Sequence, residues 1–116
     1  MSLVNFRLPE DDSKYLWTRH VKQKMIFYSM PASLIKRVVR YPERVEKGIA
    51  PGTIAAMKNA KTKKAQEYWV MYAEVRKPLK KKRIITAWRY PGVSPVRETV
   101  PIPDDILREL EEAGEL

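Results

Sequence analysis

Hydrophobic positions along the chain recur first with a helical period. Trp17, Val21, Met25 and Tyr28 are spaced by four, four and three residues, which puts them on one face of a helix capped by Ser13 or Thr18 and running to about Tyr28. Arg19, Lys22 and Lys24 then point outward. After Ser29-Met30-Pro31, the residues Leu34, Ile35, Val38 and Val39 form a second, narrow apolar stripe, with Lys36, Arg37 and Arg40 outside it. Pro42 stops that helix, because the residue before a proline is driven out of helical dihedrals.

From Glu43 onward the period shortens. Residues 44–47 alternate, Gly48 and Pro51-Gly52 are turn signals, and residues 53–57 are a candidate strand. Residues 58–64 are polar and read as an exposed loop. Residues 67–76 are the strongest strand pattern, since Tyr68, Trp69, Val70, Met71 and Tyr72 suit a pleated surface. Residues 77–82 make a basic hairpin tip, and residues 83–90 return as a strand. Simple alternation places Ile85, Ala87 and Arg89 on one face and Ile84, Thr86, Trp88 and Tyr90 on the other. Pro91-Gly92 ends the sheet, and Pro95, Pro101 and Pro103 favour an extended path. Asp104 or Asp105 caps a last helix with Ile106, Leu107 and Leu110 as its stripe. The pattern predicts an α+β fold: two N-terminal helices, then a three- to four-stranded antiparallel sheet and a short C-terminal helix.

Charge divides the chain more sharply than hydropathy does. The 116 residues hold 23 Lys and Arg against 14 Asp and Glu. Residues 13–97 carry 21 of those cations against only Glu43, Glu46, Glu67 and Glu74, whereas seven acids and a single Arg108 follow Arg97. Three segments result: a flexible arm, 1–12, able to dock as an edge strand; a basic α+β domain, 13–97; and an acidic C-terminal extension with a helix, 98–116. A strongly basic body attracts polyanions by counterion release, and nucleic acid is the commonest of them in a cell. A solvated basic surface that serves solubility is the plainer alternative.

The composition also closes several routes. With no cysteine there is no disulfide framework, thiolate nucleophile or iron–sulfur site, and one histidine, His20, excludes a multi-histidine metal centre. No metal or other cofactor is expected. The first residues lack a secretory pattern, and no apolar run approaches the ~18 residues of a membrane span, so a soluble cytoplasmic protein without membrane contact is expected.

The residues left to carry chemistry are few. Arg89 lies near the end of a strand built otherwise from Ile, Thr, Ala and Trp; if buried it needs an anion, with Glu67 or Glu74 as structural partners, and if open it is an anion platform. His20 alone titrates near neutrality, so an imidazole acid or base step must use it, unless it simply hydrogen-bonds a neighbouring group. Tyr28, Tyr41, Tyr68, Tyr72, Tyr90 and Trp88 offer stacking surfaces, of which Tyr90, beside Arg89, is the preferred one. Lys61, Lys63 and Lys64, with Lys80, Lys81, Lys82 and Arg83, form two basic groups on hairpin tips; together with Arg19 and Lys24 they are the expected phosphate contacts. The Gly48 to Gly52 segment lacks the spacing of a phosphate loop and reads as turns.

The runs Thr18-Arg19-His20-Val21, Val38-Val39-Arg40-Tyr41-Pro42 and Arg83-Ile84-Ile85-Thr86-Ala87-Trp88-Arg89-Tyr90, in an order of two helices and then a basic sheet, resemble a bacterial family grouped near the RelE/ParE-like toxins. The resemblance spans residues 17–90. It implies metal-independent RNA cleavage on the ribosome, with Arg89 stabilising the phosphate, Tyr90 stacking or moving a proton, and His20 as base. The chain departs from that family in showing no clear strand before the helices and in its acidic extension. Two other readings stay open. One is a non-catalytic module that binds nucleic acid or the ribosome. The other is a protein-interaction domain governed by its acidic tail, with an acidic protein among its partners.

Overall fold

The computed structural model describes residues 7–75, 80–96 and 99–116. Its elements are β1 (Tyr15–Trp17), α1 (Arg19–Tyr28), α2 (Ala32–Arg40), β2 (Arg44–Lys47), β3 (Thr53–Ala60), β4 (Gln66–Val75), β5 (Lys81–Pro91) and α3 (Asp104–Glu112). The strands form one sheet in the order β1-β5-β4-β3-β2. Neighbours are antiparallel except β1, which runs parallel to β5. The mixed α+β character and the placement of three helices follow the hydrophobic pattern. The sheet is larger than expected: five strands, one of them ahead of the helices. Expectations that fall on Arg76, on the hairpin tip at Lys77 to Leu79, on the segment boundary at Arg97 and Glu98, and on the first six residues of the arm lie outside the described residues.

Helix α1 begins at Arg19 because Thr18, directly after β1, is its N-cap. Its hydroxyl accepts from Val21 N at 3.0 Å and donates to Ile85 O at 2.8 Å, so one side chain caps the helix and bolts it to β5. Trp17, expected on the helix, is instead the last residue of β1. The strand is short, and its backbone amides are organised by Asp11 and Asp12, whose carboxylates accept from Trp17 N and from Lys14 N and Tyr15 N.

Two cores lie on opposite sides of the sheet. Val21, Met25, Ile35, Val38 and Val39 of the first two helices pack on Ala56, Val70, Ile84 and Ala87. Ile106 and Leu110 of α3, with Val100, cover Ala55, Met57, Trp69, Met71, Ile85 and Trp88. Strands buried on both faces have no polar side to show, which is why residues 68–72 read as an unbroken apolar run. Trp69 and Trp88 stack with ring centroids 5.9 Å apart beneath α3. Asp104 and Asp105 occupy the first turn of α3, suiting its dipole, but the cap position is Pro103 and no side chain caps it. The acidic extension is therefore one wall of the second core.

The simple alternation along β5 breaks in the middle. Thr86 and Ile84 face the consecutive residues Met71 and Tyr72, so β5 carries one extra residue, Ile85, as a bulge. Ile84 consequently sits in the first core with Ala87, and Ile85 in the second with Trp88. At the β2–β3 turn Gly48 is required by space: a Cβ there would lie 2.0 Å from Thr53 Oγ1. Among the described residues no helix is long and apolar enough to cross a membrane.

Candidate functional site

The three side chains grouped by the resemblance do not converge. Arg89 points to the α1/α2 side and is clamped there. Nε donates to Tyr28 O at 2.6 Å, Nη2 to Ser29 O at 3.1 Å and Nη1 to Gln66 Oε1 at 2.7 Å, while the guanidinium stacks 4.9 Å from the Tyr68 ring centroid. The partner that sequence reasoning sought in Glu67 or Glu74 is the C-terminus of α1, whose last carbonyls lack intrahelical donors and carry negative partial charge. The clamp also secures Ser29, which closes the helix in the left-handed region at φ 54°.

Tyr90, the next residue along β5, faces the other side of the sheet and packs against the second core. His20 stands on the first turn of α1, about 12 Å along the helix axis from the carbonyls that hold Arg89. Its Nε2 is 2.8 Å from Thr86 Oγ1, and its Nδ1 is 3.6 Å from Glu109 Oε1. Burial pushes the imidazole pKa below its ordinary value and Lys24 adds to this, against the opposing pull of Glu109.

Lys24 is not on an outward turn. It is buried, with Nζ 2.8 Å from Glu109 Oε1 and 3.8 Å from Asp105 Oδ2, both on α3. Arg83 makes a two-pronged pair with Glu115, at 2.9 and 2.5 Å, which holds the carboxyl below its usual range. Arg19 stays exposed beside this pair. Three carboxylates after residue 98 thus answer cations that the basic segment presents.

The loop lysines do not form one patch either. Lys61, Lys63 and Lys64 are exposed between β3 and β4, at the end of the sheet where Gln66 faces Pro91. Lys80, Lys81 and Lys82 lie at the other end, where Val75 faces Lys81. Ten residues of β4 separate the two groups, about 30 Å at the rise of a strand.

At the second end the lysines meet cations from elsewhere. A cleft of about 370 Å³ is lined by Asp12, Lys14, Tyr15, Lys36, Arg40, Lys80 and Lys82. Five cations therefore face one carboxylate, and that carboxylate is turned to the backbone: Asp12 Oδ1 accepts from Lys14 N and Tyr15 N, both at 2.8 Å. Those bonds, with Lys36 nearby, hold the Asp12 pKa below its ordinary value. Tyr15 supplies an apolar wall, with Lys36 Nζ 5.3 Å above its ring. Lys82 also approaches Glu74, but at 3.8 Å and with both side chains well exposed, so the pair restrains it little. Sequence reasoning found Lys80 and Lys82 but not Lys14, Lys36 or Arg40. The two on α2 had one signal: they are an i, i+4 pair on the polar face of a helix.

One buried group serves the scaffold. Glu67, fully buried, accepts from Trp69 Nε1 at 2.9 Å, Ser94 Oγ at 2.6 Å and Ser94 N at 3.1 Å, tying the segment after β5 to the sheet. No protein-family model, curated protein or solved structure matches the chain.

Proposed function

We propose that this chain is a non-catalytic nucleic-acid-binding module that grips phosphates in the cleft between β1, α2 and the start of β5. The observation that carries the reading is the local imbalance of charge: five cations around one carboxylate already committed to backbone amides. Cations that outnumber their acidic neighbours repel one another, and a polyanion relieves that repulsion while releasing its own counterions. RNA cleavage has a different requirement. It needs a base, an acid and charge stabilisation on one phosphate, whereas His20 is bonded to Thr86 from the first turn of α1, Arg89 is clamped at the far end of that helix through Nε, Nη1 and Nη2, and Tyr90 faces the opposite side of the sheet.

The test is binding of a fluorescent oligonucleotide as salt is raised, for the wild type and for a Lys36→Ala, Arg40→Ala double variant. Affinity should fall steeply with salt, and the double variant should bind more weakly with a log–log slope shallower by about 1.4, two single-strand phosphate contacts at about 0.7 each. RNA should remain uncut in EDTA. Salt-independent binding, or a double variant equal to wild type, would overturn the reading.

A further inference from the structure

Among the six tyrosines, Tyr41 alone is exposed; its side chain stands 62% open to solvent while Tyr15 and Tyr72 are buried and the rest half-buried. Its backbone is the opposite of loose. Tyr41 N donates to Arg37 O at 2.9 Å, Tyr41 O accepts from Lys58 Nζ at 3.1 Å, and Pro42 follows directly. A large aromatic ring is thus held in water by a main chain pinned on both sides, an arrangement that spares a ligand the cost of ordering it. The ring does not stand alone: the Arg40 guanidinium lies 5.6 Å from its centroid, and Arg40 is also a wall of the cationic cleft.

We infer that the cleft and Tyr41 together form a binding site for single-stranded nucleic acid, with a backbone phosphate among Lys36, Arg40 and Lys82 and an adjacent unpaired base stacked on Tyr41. The inference rests on the proposed nucleic-acid reading and adds the class of strand. Stacking on an exposed ring needs a free base face, which a duplex buries between its neighbours; a positive groove tracking the backbone beside an aromatic platform is what sequence-tolerant single-strand binding requires. Arg40 joins the two halves, because one guanidinium borders both phosphate and ring. Neither half addresses the 2′-hydroxyl, so RNA and DNA strands share the chemistry.

The experiment compares labelled single-stranded RNA, single-stranded DNA and a duplex of the same sequence, with inorganic polyphosphate and poly-glutamate as competitors. Wild type, Tyr41→Ala, Tyr41→Phe and Arg40→Ala are measured in the same salt. Both single strands should bind more tightly than the duplex. Tyr41→Ala should weaken them roughly 5- to 150-fold, the value of stacking one base, and Tyr41→Phe should keep most of the affinity. The inhibition constant of polyphosphate should be the same for Tyr41→Ala as for wild type, since it uses only the cations. Should Tyr41→Ala match wild type, or the duplex bind as well as the strands, the stacking site is overturned, and a weakened Arg40→Ala would still leave nucleic-acid binding standing. Loss of neither variant's affinity overturns both. Poly-glutamate competing as well as polyphosphate would mean that the site takes an acidic polypeptide instead.

Discussion

Two groups of cations in the basic segment have opposite fates. Lys24 and Arg83 lie against α3 and its C-terminal turn, beside the half-buried His20, and Glu109, Asp105 and Glu115 answer them. Lys14, Lys36, Arg40, Lys80 and Lys82 share a cleft in which Asp12 is the one carboxylate, with the exposed Glu74 reaching only Lys82, at 3.8 Å. A basic composition is shared by both groups, so composition does not decide which is a binding surface. The decision is made by where the acidic helix docks, and that is settled by Ile106 and Leu110 seeking the uncovered face of the sheet.

Loosening α3 should have the largest effect. Leu110 is fully buried over the tryptophan pair, so Leu110→Ala should cost roughly 2 to 5 kcal/mol of stability, read by urea unfolding. Unchanged stability would mean that the acidic segment is an accessory and not a wall of the core. Next in size is Lys24→Ala, expected to destabilise by about 1 kcal/mol, a modest figure because Glu109 keeps 41% of its side chain in water. Its nucleic-acid affinity should stay at the wild-type level, in contrast to the Lys36, Arg40 double variant; a parallel loss of binding would erase the distinction between the two groups.

The smallest effect is that of pH. The pKa of His20 is lower in the folded protein than the ordinary 6.5, so the unfolded chain takes up the proton more readily. The stability linked to neutral His20 is therefore complete above about pH 6.5 and is lost as pH falls through the folded value. Thermal unfolding between about pH 8 and pH 5 should show that loss in the wild type and a flatter profile in His20→Gln. A steeper profile in the variant would show that the imidazole is held as a cation by Glu109.

Much of the fold was legible because it is local. The stripe of α2, with Ile35, Val38 and Val39 buried, and the strand at Tyr68 to Tyr72 follow from spacing and residue type. β1 escaped notice because three residues show no period, and Trp17 fits the helical spacing of Val21 and Met25 equally well. The faces of β5 were mixed by the Ile85 bulge, which no alternation rule foresees. Proximity to Arg89 in the chain favours Tyr90 as a stacking surface; along a strand, adjacency means opposite faces, and the exposed tyrosine ring is Tyr41.

By itself the sequence determined the kinds of element, the lack of thiol chemistry and the division into a basic body and an acidic end. Only the tertiary structure decided which charges cancel. Lys24 meets Glu109, and Tyr28 O meets Arg89, across long stretches of chain that register and packing alone bring together. The reason is physical: helical and strand periods are set by neighbouring residues, whereas an ion pair is set by two surfaces whose docking depends on apolar contacts elsewhere.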